Sequence, residues 1–166
     1  MHQILQPQCD LQIQLTFQYS CAGGCTAVYA AVPCINDIED FAGKVPELWT
    51  YYCCSQNVDV SNRFIAMPGA RTRILGAQMY KYNIVGFLQW GFNFYSAKYS
   101  IHPIDPFRCA DGDCGYPAGD PFLVYPGEGG KPLSSIRGEV QDDALLDLEA
   151  LRMLESLAGR EYTKSL

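Results

Sequence analysis

The sequence predicts an α/β fold built from parallel strands and helices, and three neighbouring stretches carry that prediction. Residues 84–88 form a short apolar run without charge, which is typical of a strand buried on both faces of a parallel sheet. Residues 70–82 place larger side chains at the spacing of an amphipathic helix: Ile74, Leu75, Gln78, Met79 and Tyr82. An aromatic, β-rich run at 48–54 precedes that helix. Strand, helix and strand together form a βαβ unit, which requires parallel strands.

The N-terminal part begins with an alternating pattern. Residues 10–20 alternate apolar and polar side chains strictly, which predicts a half-buried strand, antiparallel or at a sheet edge. Residues 21–25, with two central glycines, predict a turn, and residues 26–34 predict a short buried strand. We therefore divide the chain into an unassigned N-terminal strand and turn, residues 1–25, and a main domain, residues 26–166.

The next two elements follow from capping and alternation. Asn36 or Asp37 is expected to cap a short helix over residues 36–41, with acidic residues in its first turn. In the strand at 48–54, Trp49 and Tyr51 share one face by the period of two, while Leu48, Thr50 and Tyr52 share the other.

The C-terminal third consists of a long loop and a long helix. Residues 96–133 are rich in Gly, Pro and Asp, and loops of this length are often functional. Asp111 and Asp113 resemble part of a calcium loop, but no glutamate stands at the required distance. Residues 139–157 predict a surface helix with acidic residues early and an apolar stripe: Val140, Ala144, Leu145, Leu148, Leu151 and Leu154.

Composition restricts the function classes. A chain of 166 residues with 48% hydrophobic residues can build one compact domain. A net charge of −6, with 12 basic against 18 acidic residues, argues against nucleic acid as a partner. No apolar run is long enough to cross a bilayer and no secretion signal is visible, so we expect a soluble protein without a membrane partner, with a cytoplasmic location favoured.

The eight cysteines have unequal spacings, which do not match the paired short spacings of zinc or iron–sulfur sites. We expect no metal and no other cofactor. Cys53 and Cys54 fall in the strand predicted at 48–54, where successive side chains face opposite ways, so the two cannot join one bridge partner. Most cysteines are expected to be small buried hydrophobes in a reduced protein, with a cysteine-rich metal protein as the alternative.

The candidate site lies just beyond the strand at 84–88. Trp90, Asn93 and Tyr95 combine flat apolar faces with hydrogen-bonding edges. In α/β folds, ligands bind at the carboxyl ends of the strands. The alternative for Trp90 is a purely structural core aromatic.

Six ordered motifs resemble one family. They are Trp49-Thr-Tyr51, Arg73-Ile-Leu-Gly, Tyr80-Lys-Tyr82, Gly86-Phe-Leu-Gln-Trp90-Gly-Phe-Asn93, Gly119-Asp120-Pro-Phe-Leu-Val-Tyr125-Pro-Gly127, and Ser135-Ile-Arg137 with the acidic residues after it. Over residues 47–155 the chain resembles the C-terminal half of the catalytic barrel in glycoside hydrolase family 123 and the related proteins catalogued as domain of unknown function 4091.

The resemblance implies a fold and an activity. The fold is the C-terminal part of a (β/α)8 TIM barrel with an extra N-terminal strand. The activity is that of β-N-acetylgalactosaminidases, in which the substrate's acetamido group attacks the anomeric carbon. An adjacent Asp-Glu pair upstream of the Trp-Thr-Tyr segment assists that attack, but this chain has no Asp-Glu dipeptide. The catalytic residues are therefore unknown, and either an upstream catalytic half is missing or hydrolysis has been lost.

The resemblance also implies which residues contact a sugar. Trp90 is expected to lie under the pyranose ring, with Trp49 and Tyr51 beside it. Hydroxyl or acetamido groups would meet polar side chains: Arg73, Asn93, Tyr95 and Asp120. The expected partner is a glycan with N-acetylhexosamine, and the alternative function is a non-catalytic carbohydrate-binding or structural remnant. Because part of a barrel exposes strand edges, we also expect a homo-oligomer or a complementing barrel half.

Overall fold

The computed structural model describes residues 15–20 and 26–166, and its centre is a four-stranded sheet in the order β1-β2-β3-β4. The strands are β1 (Leu15–Ser20), β2 (Thr26–Val32), β3 (Glu47–Tyr51) and β4 (Gly86–Leu88). β1 pairs antiparallel with β2, whereas β2, β3 and β4 are parallel. The predicted antiparallel strand at the sheet edge is confirmed for residues 15–20, and residues 10–14 and the predicted turn at 21–25 lie outside the described residues.

The predicted βαβ unit is present. A loop of residues 52–68 connects β3 to helix α1 (Gly69–Tyr82), and the helix leads into β4, which pairs with β3 in the register Trp49 to Gly86 and Tyr51 to Leu88. The helix ends at Asn83, whose left-handed backbone (φ 56°) lets its N–H bond to Met79 O and Tyr80 O. The chain can thus turn directly from the helix into β4.

Two more helices complete the helical layer: α2 (Ile136–Ala158) and α3 (Arg160–Lys164). The hydroxyl of Ser135 caps α2 by accepting the N–H of Gly138 at 3.2 Å. α2 packs along α1, and the two helices approach each other closely at Gly76, where an added Cβ would lie 1.9 Å from Ala144 O. In the predicted stripe Ala144 and Leu148 are buried, but Leu145 is 41% exposed, because the face packed against α1 is narrower than the stripe.

The main core lies between these helices and one face of the sheet. Its buried residues come from both layers: Ala31, Ile35, Ile38, Leu48, Tyr52, Leu75, Met79, Tyr80, Ile84, Ala144 and Leu148. Trp49 and Tyr51 lie on the opposite face, in a small cluster with Val32, Cys34 and Cys53. The predicted division of β3 into two faces is therefore confirmed for the side chains in these two clusters.

Three local predictions are wrong. Leu88, in the predicted strand buried on both faces, is 46% exposed, because Phe87 packs against the core below the helices and Leu88 therefore faces the other way. Val85, which precedes β4, is 54% exposed. The segment Ile35–Asp40 is a 3-10 helix without a side-chain cap, since Asn36 lies inside its first turn and its Oδ1 accepts the Cys34 thiol at 3.2 Å.

The third wrong prediction concerns Cys53 and Cys54, which lie in a turn after β3 has ended at Tyr51. The Cys53 N–H donates to Gln56 Oε1 at 2.7 Å, and its carbonyl accepts Asn62 Nδ2 at 2.8 Å. Side chains thus take the hydrogen bonds that a continued strand would have needed.

The long loop of residues 96–133 contains little regular structure. It ends in a short antiparallel pair, β5 (Tyr125–Pro126) and β6 (Pro132–Leu133). Among the described residues, no helix combines the length and apolar character needed to span a bilayer. The protein is a mixed α/β structure with three parallel strands and a layer of helices.

Candidate active site

The carboxyl ends of β3 and β4 carry a group of polar side chains that are shielded from solvent. Asp120 is fully buried and Arg63 is 2% exposed. Asp120 belongs to the long loop, which returns across the residues that follow β4. The approach is close enough that a Cβ on Gly91 would lie 2.5 Å from Asp120 O. Only glycine at position 91 therefore lets the two segments meet.

The Asp120 carboxylate is held by neutral donors. Its Oδ2 accepts the indole Nε1–H of Trp90 at 3.0 Å, and its Oδ1 accepts Nε2–H of Gln89 at 3.0 Å. Burial raises the pKa of Asp120 to about 7, against the opposing effect of the Trp90 hydrogen bond, and the negative charge of the nearby Cys53 thiolate raises the pKa further. The structure therefore contains a carboxyl group that takes up a proton near neutral pH.

The guanidinium of Arg63 binds the residues around the Asp120 carboxylate. Its Nη2 donates to Gln89 Oε1 at 2.8 Å, to Asp120 O at 3.2 Å and to the carbonyl of Gly91. Gln89 Oε1 also accepts the N–H of Gly91. Because Gln89 Oε1 accepts from Arg63, the amide of Gln89 must present its N–H groups to Asp120.

Arg137, near the start of α2, holds the loop from the other side. Its guanidinium donates to Gly119 O at 2.7 Å, Phe122 O at 3.0 Å and Arg63 O at 3.2 Å. Both arginines thus bind backbone carbonyls rather than the Asp120 side chain. Arg137 and Arg63 order the backbone that carries Asp120.

Trp90 connects this buried group to the surface. Its side chain is 41% exposed, although its indole N–H points inward to Asp120. The indole packs against Tyr116 at 4.7 Å and Phe94 at 5.3 Å between ring centroids. The alternative interpretation of Trp90 as a purely internal aromatic is wrong, because a large part of the ring contacts solvent.

Trp49 and Tyr51 belong to β3 itself, and their side chains lie on the sheet face opposite the helices. The Trp49 ring covers Gly86, where a Cβ would be 2.2 Å from the indole, and its N–H donates to Glu47 at 2.7 Å. Tyr51 is 9% exposed. The Trp49 ring is therefore partly covered by contacts within the sheet, and the Tyr51 ring is largely covered.

Asn93 and Tyr95 follow Trp90 along the loop. Asn93 is exposed and its backbone bridges to Phe122. The hydroxyl of Tyr95 donates to Val124 O at 2.8 Å, and its ring packs on Phe122 with 5.6 Å between centroids. These two residues lie on the chain segment that extends from the Trp90–Asp120 contact.

Arg73 lies elsewhere. It projects from α1 and forms an exposed ion pair with Asp147 of α2 at 2.6 Å, with Asp143 at 3.8 Å. The structure does not bring Arg73 together with Trp90 or Asp120. Its predicted role in substrate binding has no geometric support and stays a prediction.

Sequence reasoning missed Arg63 and Gln89. Gln89 stands inside the motif around Trp90, but Arg63 sits in a polar loop whose pattern carries no sign of burial. A buried arginine becomes recognisable only when the carbonyls that it binds are brought together by folding.

The thiol of Cys53 was also missed. Its sulfur lies 3.6 Å from Ser55 Oγ, beside the thiol of Cys54 and the backbone N–H groups of residues 54 and 55. These donors lower the pKa of Cys53 to about 6, although burial opposes the shift. The expectation of buried cysteines holds for Cys34 but is wrong for the other four described cysteines, which are half-buried or exposed.

Metal ligands are not assembled here. Within residues 15–20 and 26–166, no cluster of three or more His, Cys, Asp or Glu side chains could hold an ion.

A family model described as "Glycoside hydrolase 123, catalytic domain" matches residues 24–154. No curated protein matches the chain.

Proposed function

Because the chain belongs to the glycoside hydrolase 123 catalytic-domain family, we propose that it supplies the sugar-binding part of a β-N-acetylhexosaminidase site of the N-acetylgalactosaminidase type. The family supports a glycoside-hydrolase kind of activity and a carbohydrate substrate. The more specific proposal rests on the partly exposed indole of Trp90. Its N–H donates to the buried carboxylate of Asp120, and both residues lie beyond the carboxyl ends of parallel strands.

The exposed indole suits a pyranose ring. A sugar presents C–H groups on one face and hydroxyls around its rim, so a flat aromatic surface binds the face while polar groups bind the rim. Trp90 offers such a surface, and its packing against Tyr116 and Phe94 restricts its motion. Asn93, which is exposed, supplies a donor and an acceptor at the rim.

Asp120 acts indirectly in this proposal. It is fully buried and both of its oxygens already accept hydrogen bonds, so a sugar hydroxyl cannot reach it while Trp90 is in place. Its contribution is to fix the ring. Tyr95 helps to order the loop through Val124, and Trp49 and Tyr51 pack in the sheet whose carboxyl end precedes Trp90, so their contribution is also indirect.

Hydrolysis requires residues outside this group. The resemblance assigns acid–base catalysis to an adjacent Asp-Glu pair, and this sequence contains no such dipeptide. We propose that the pair comes from a complementing half of a (β/α) barrel, which would pair with the strands of this sheet. Without it the chain binds sugar but does not cleave it.

A binding experiment and an activity assay test the proposal together. In saturation-transfer NMR, N-acetylgalactosamine is expected to receive magnetisation from the protein, most strongly at the C–H groups of one ring face. The chain alone is expected to leave a chromogenic N-acetyl-β-galactosaminide intact. Absence of transfer to any N-acetylhexosamine would overturn the binding proposal, and steady hydrolysis would overturn the missing catalytic pair.

A matched pair of variants locates the binding site. Trp90→Ala is expected to weaken binding at least about fivefold, because it removes the stacking surface. Tyr162→Ala removes another exposed aromatic side chain, on α3, and is expected to leave binding unchanged.

The second candidate is a remnant that binds carbohydrate without ever taking part in turnover, and the missing Asp-Glu dipeptide favours it. The two proposals differ when a polypeptide carrying the upstream half of a family member is added. Hydrolysis that appears only in the mixture supports the site-completing role. If the added upstream half carries the Asp-Glu pair and the mixture still shows no turnover, the result supports the remnant.

A further inference from the structure

Four side chains form a continuous hydrogen-bonded series from the interior to the surface. Arg63 donates to Gln89, Gln89 donates to Asp120, and Asp120 accepts from Trp90. We propose that Arg63 and Gln89 are positioning residues for the Trp90 platform, and that they set the plane of its indole through Asp120 without touching a ligand. This inference rests on the proposed function only in the identity of the ligand.

The direction of each hydrogen bond follows from the first. The guanidinium of Arg63 can only donate, so it selects the oxygen of the Gln89 amide. The amide nitrogen of Gln89 is then committed to Asp120 Oδ1, which leaves Oδ2 for the indole. Reversal of any one member would place two donors or two acceptors against each other, which is costly in a buried site.

The series has few ways to relax. Arg63 is 2% exposed and Asp120 is fully buried, so water cannot replace a lost partner without rearrangement of the loop. The backbone on both sides is also held, because Arg63 and Arg137 bind the carbonyls of residues 119, 120 and 122. Trp90 is the exposed end of the series. The orientation of its indole therefore depends on the side chains behind it, above all on the buried Asp120 and Arg63.

The experiment reads the Trp90 indole directly. The chain contains two tryptophans, so a ¹⁵N-correlated NMR spectrum has two indole N–H signals, and that of Trp49 is an internal reference. Gln89→Met keeps the size of the side chain but removes its hydrogen bonds to Arg63, Gly91 and Asp120. It is expected to move the Trp90 signal upfield and leave the Trp49 signal in place. An unmoved Trp90 signal would overturn the proposal.

An exchange of donor and acceptor supplies a test that general damage cannot imitate. Asp120→Asn alone puts an N–H group against Gln89 or Trp90 and is expected to move the Trp90 signal. In the double variant Gln89→Glu with Asp120→Asn, the introduced carboxylate accepts from both Arg63 and the new amide, whose oxygen accepts from Trp90. The signal is expected to move back toward its wild-type position, and the absence of any such movement relative to Asp120→Asn would overturn the series.

Binding and folding controls complete the design. Gln141→Met makes the same replacement on α2, away from the series, and should leave the Trp90 signal unchanged. N-acetylgalactosamine binding is expected to weaken in Gln89→Met and recover in the double variant. If Gln89→Met or Asp120→Asn does not fold, the double variant decides by the position of its Trp90 signal.

If the signals behave as expected but the wild type binds no sugar, the positioning role stands and the proposed function fails. Equal binding by wild type and Gln89→Met would overturn the positioning role.

Discussion

The indole N–H of Trp90 donates to a carboxylate oxygen of Asp120 at 3.0 Å, which joins an aromatic ring that is 41% exposed to a side chain with no exposure at all. This contact couples a surface that can bind ligand to a buried ionisable group. It also connects two segments that are 30 residues apart in the sequence.

Stability should fall as the pH rises from about 4 to 7, because of Asp120. Burial raises its pKa from 3.8 to about 7, so within that range the folded state holds a proton that the unfolded state has released. Through Asp120, the free energy of unfolding should fall by on the order of 4 kcal/mol across this range and should not fall further above it. In Asp120→Asn, urea denaturation should show a flatter pH dependence, whereas Gln141→Met, which changes no ionisable group, should keep the wild-type slope. Equal slopes for all three proteins would contradict this assignment.

Cys53 should be alkylated by iodoacetamide at a pH where ordinary thiols react slowly. Donors around its sulfur, the Cys54 thiol first, lower its pKa to about 6, so the thiolate predominates at neutral pH. Mass spectrometry of peptides should show a labelling rate that levels off above about pH 7. Cys54→Ala removes the strongest donor and should move this pH dependence upward. A rate at Cys53 that rises only above about pH 8 in the wild type would contradict the prediction.

Gly76→Ala should destabilise the protein strongly. An added Cβ would lie 1.9 Å from the carbonyl oxygen of Ala144, which is backbone and cannot rotate away. Separation of α1 and α2 would be required, at a cost of about 2 kcal/mol or more. Gly69→Ala, in the same helix with no atom nearer than 3.7 Å, should be neutral or slightly stabilising. Urea denaturation of the two variants compares them directly, and equal stability would show that the helices are less closely packed.

Arg73→Gln should leave sugar binding intact. Arg73 pairs with Asp147 on the outer surface of the helices, and its side chain is 53% exposed. Because exposed ion pairs contribute little, the midpoint of urea denaturation should change only slightly. A large loss of N-acetylgalactosamine binding in this variant would restore the role that the family resemblance implied for Arg73.

Much of the fold was predictable because the relevant patterns are local. The alternation in β3 correctly assigned Trp49 and Tyr51 to one face, and the three-and-four spacing correctly predicted α1. Local patterns failed where side chains competed for backbone hydrogen bonds. Gln56 and Asn62 bind the backbone of Cys53, so β3 ends earlier than its apolar composition indicates.

The sequence by itself determined the family, the parallel βαβ unit and the aromatic motif around Trp90, since each depends on residues that are close together in the chain. Only the tertiary structure decided that Asp120 is buried beneath Trp90, that Arg63 and Gln89 orient it, and that Arg73 points away. Those facts depend on contacts between residues 26 to 74 positions apart, which periodicity cannot detect. The low polarity of the interior then gives these few contacts their effect on proton binding and ring position.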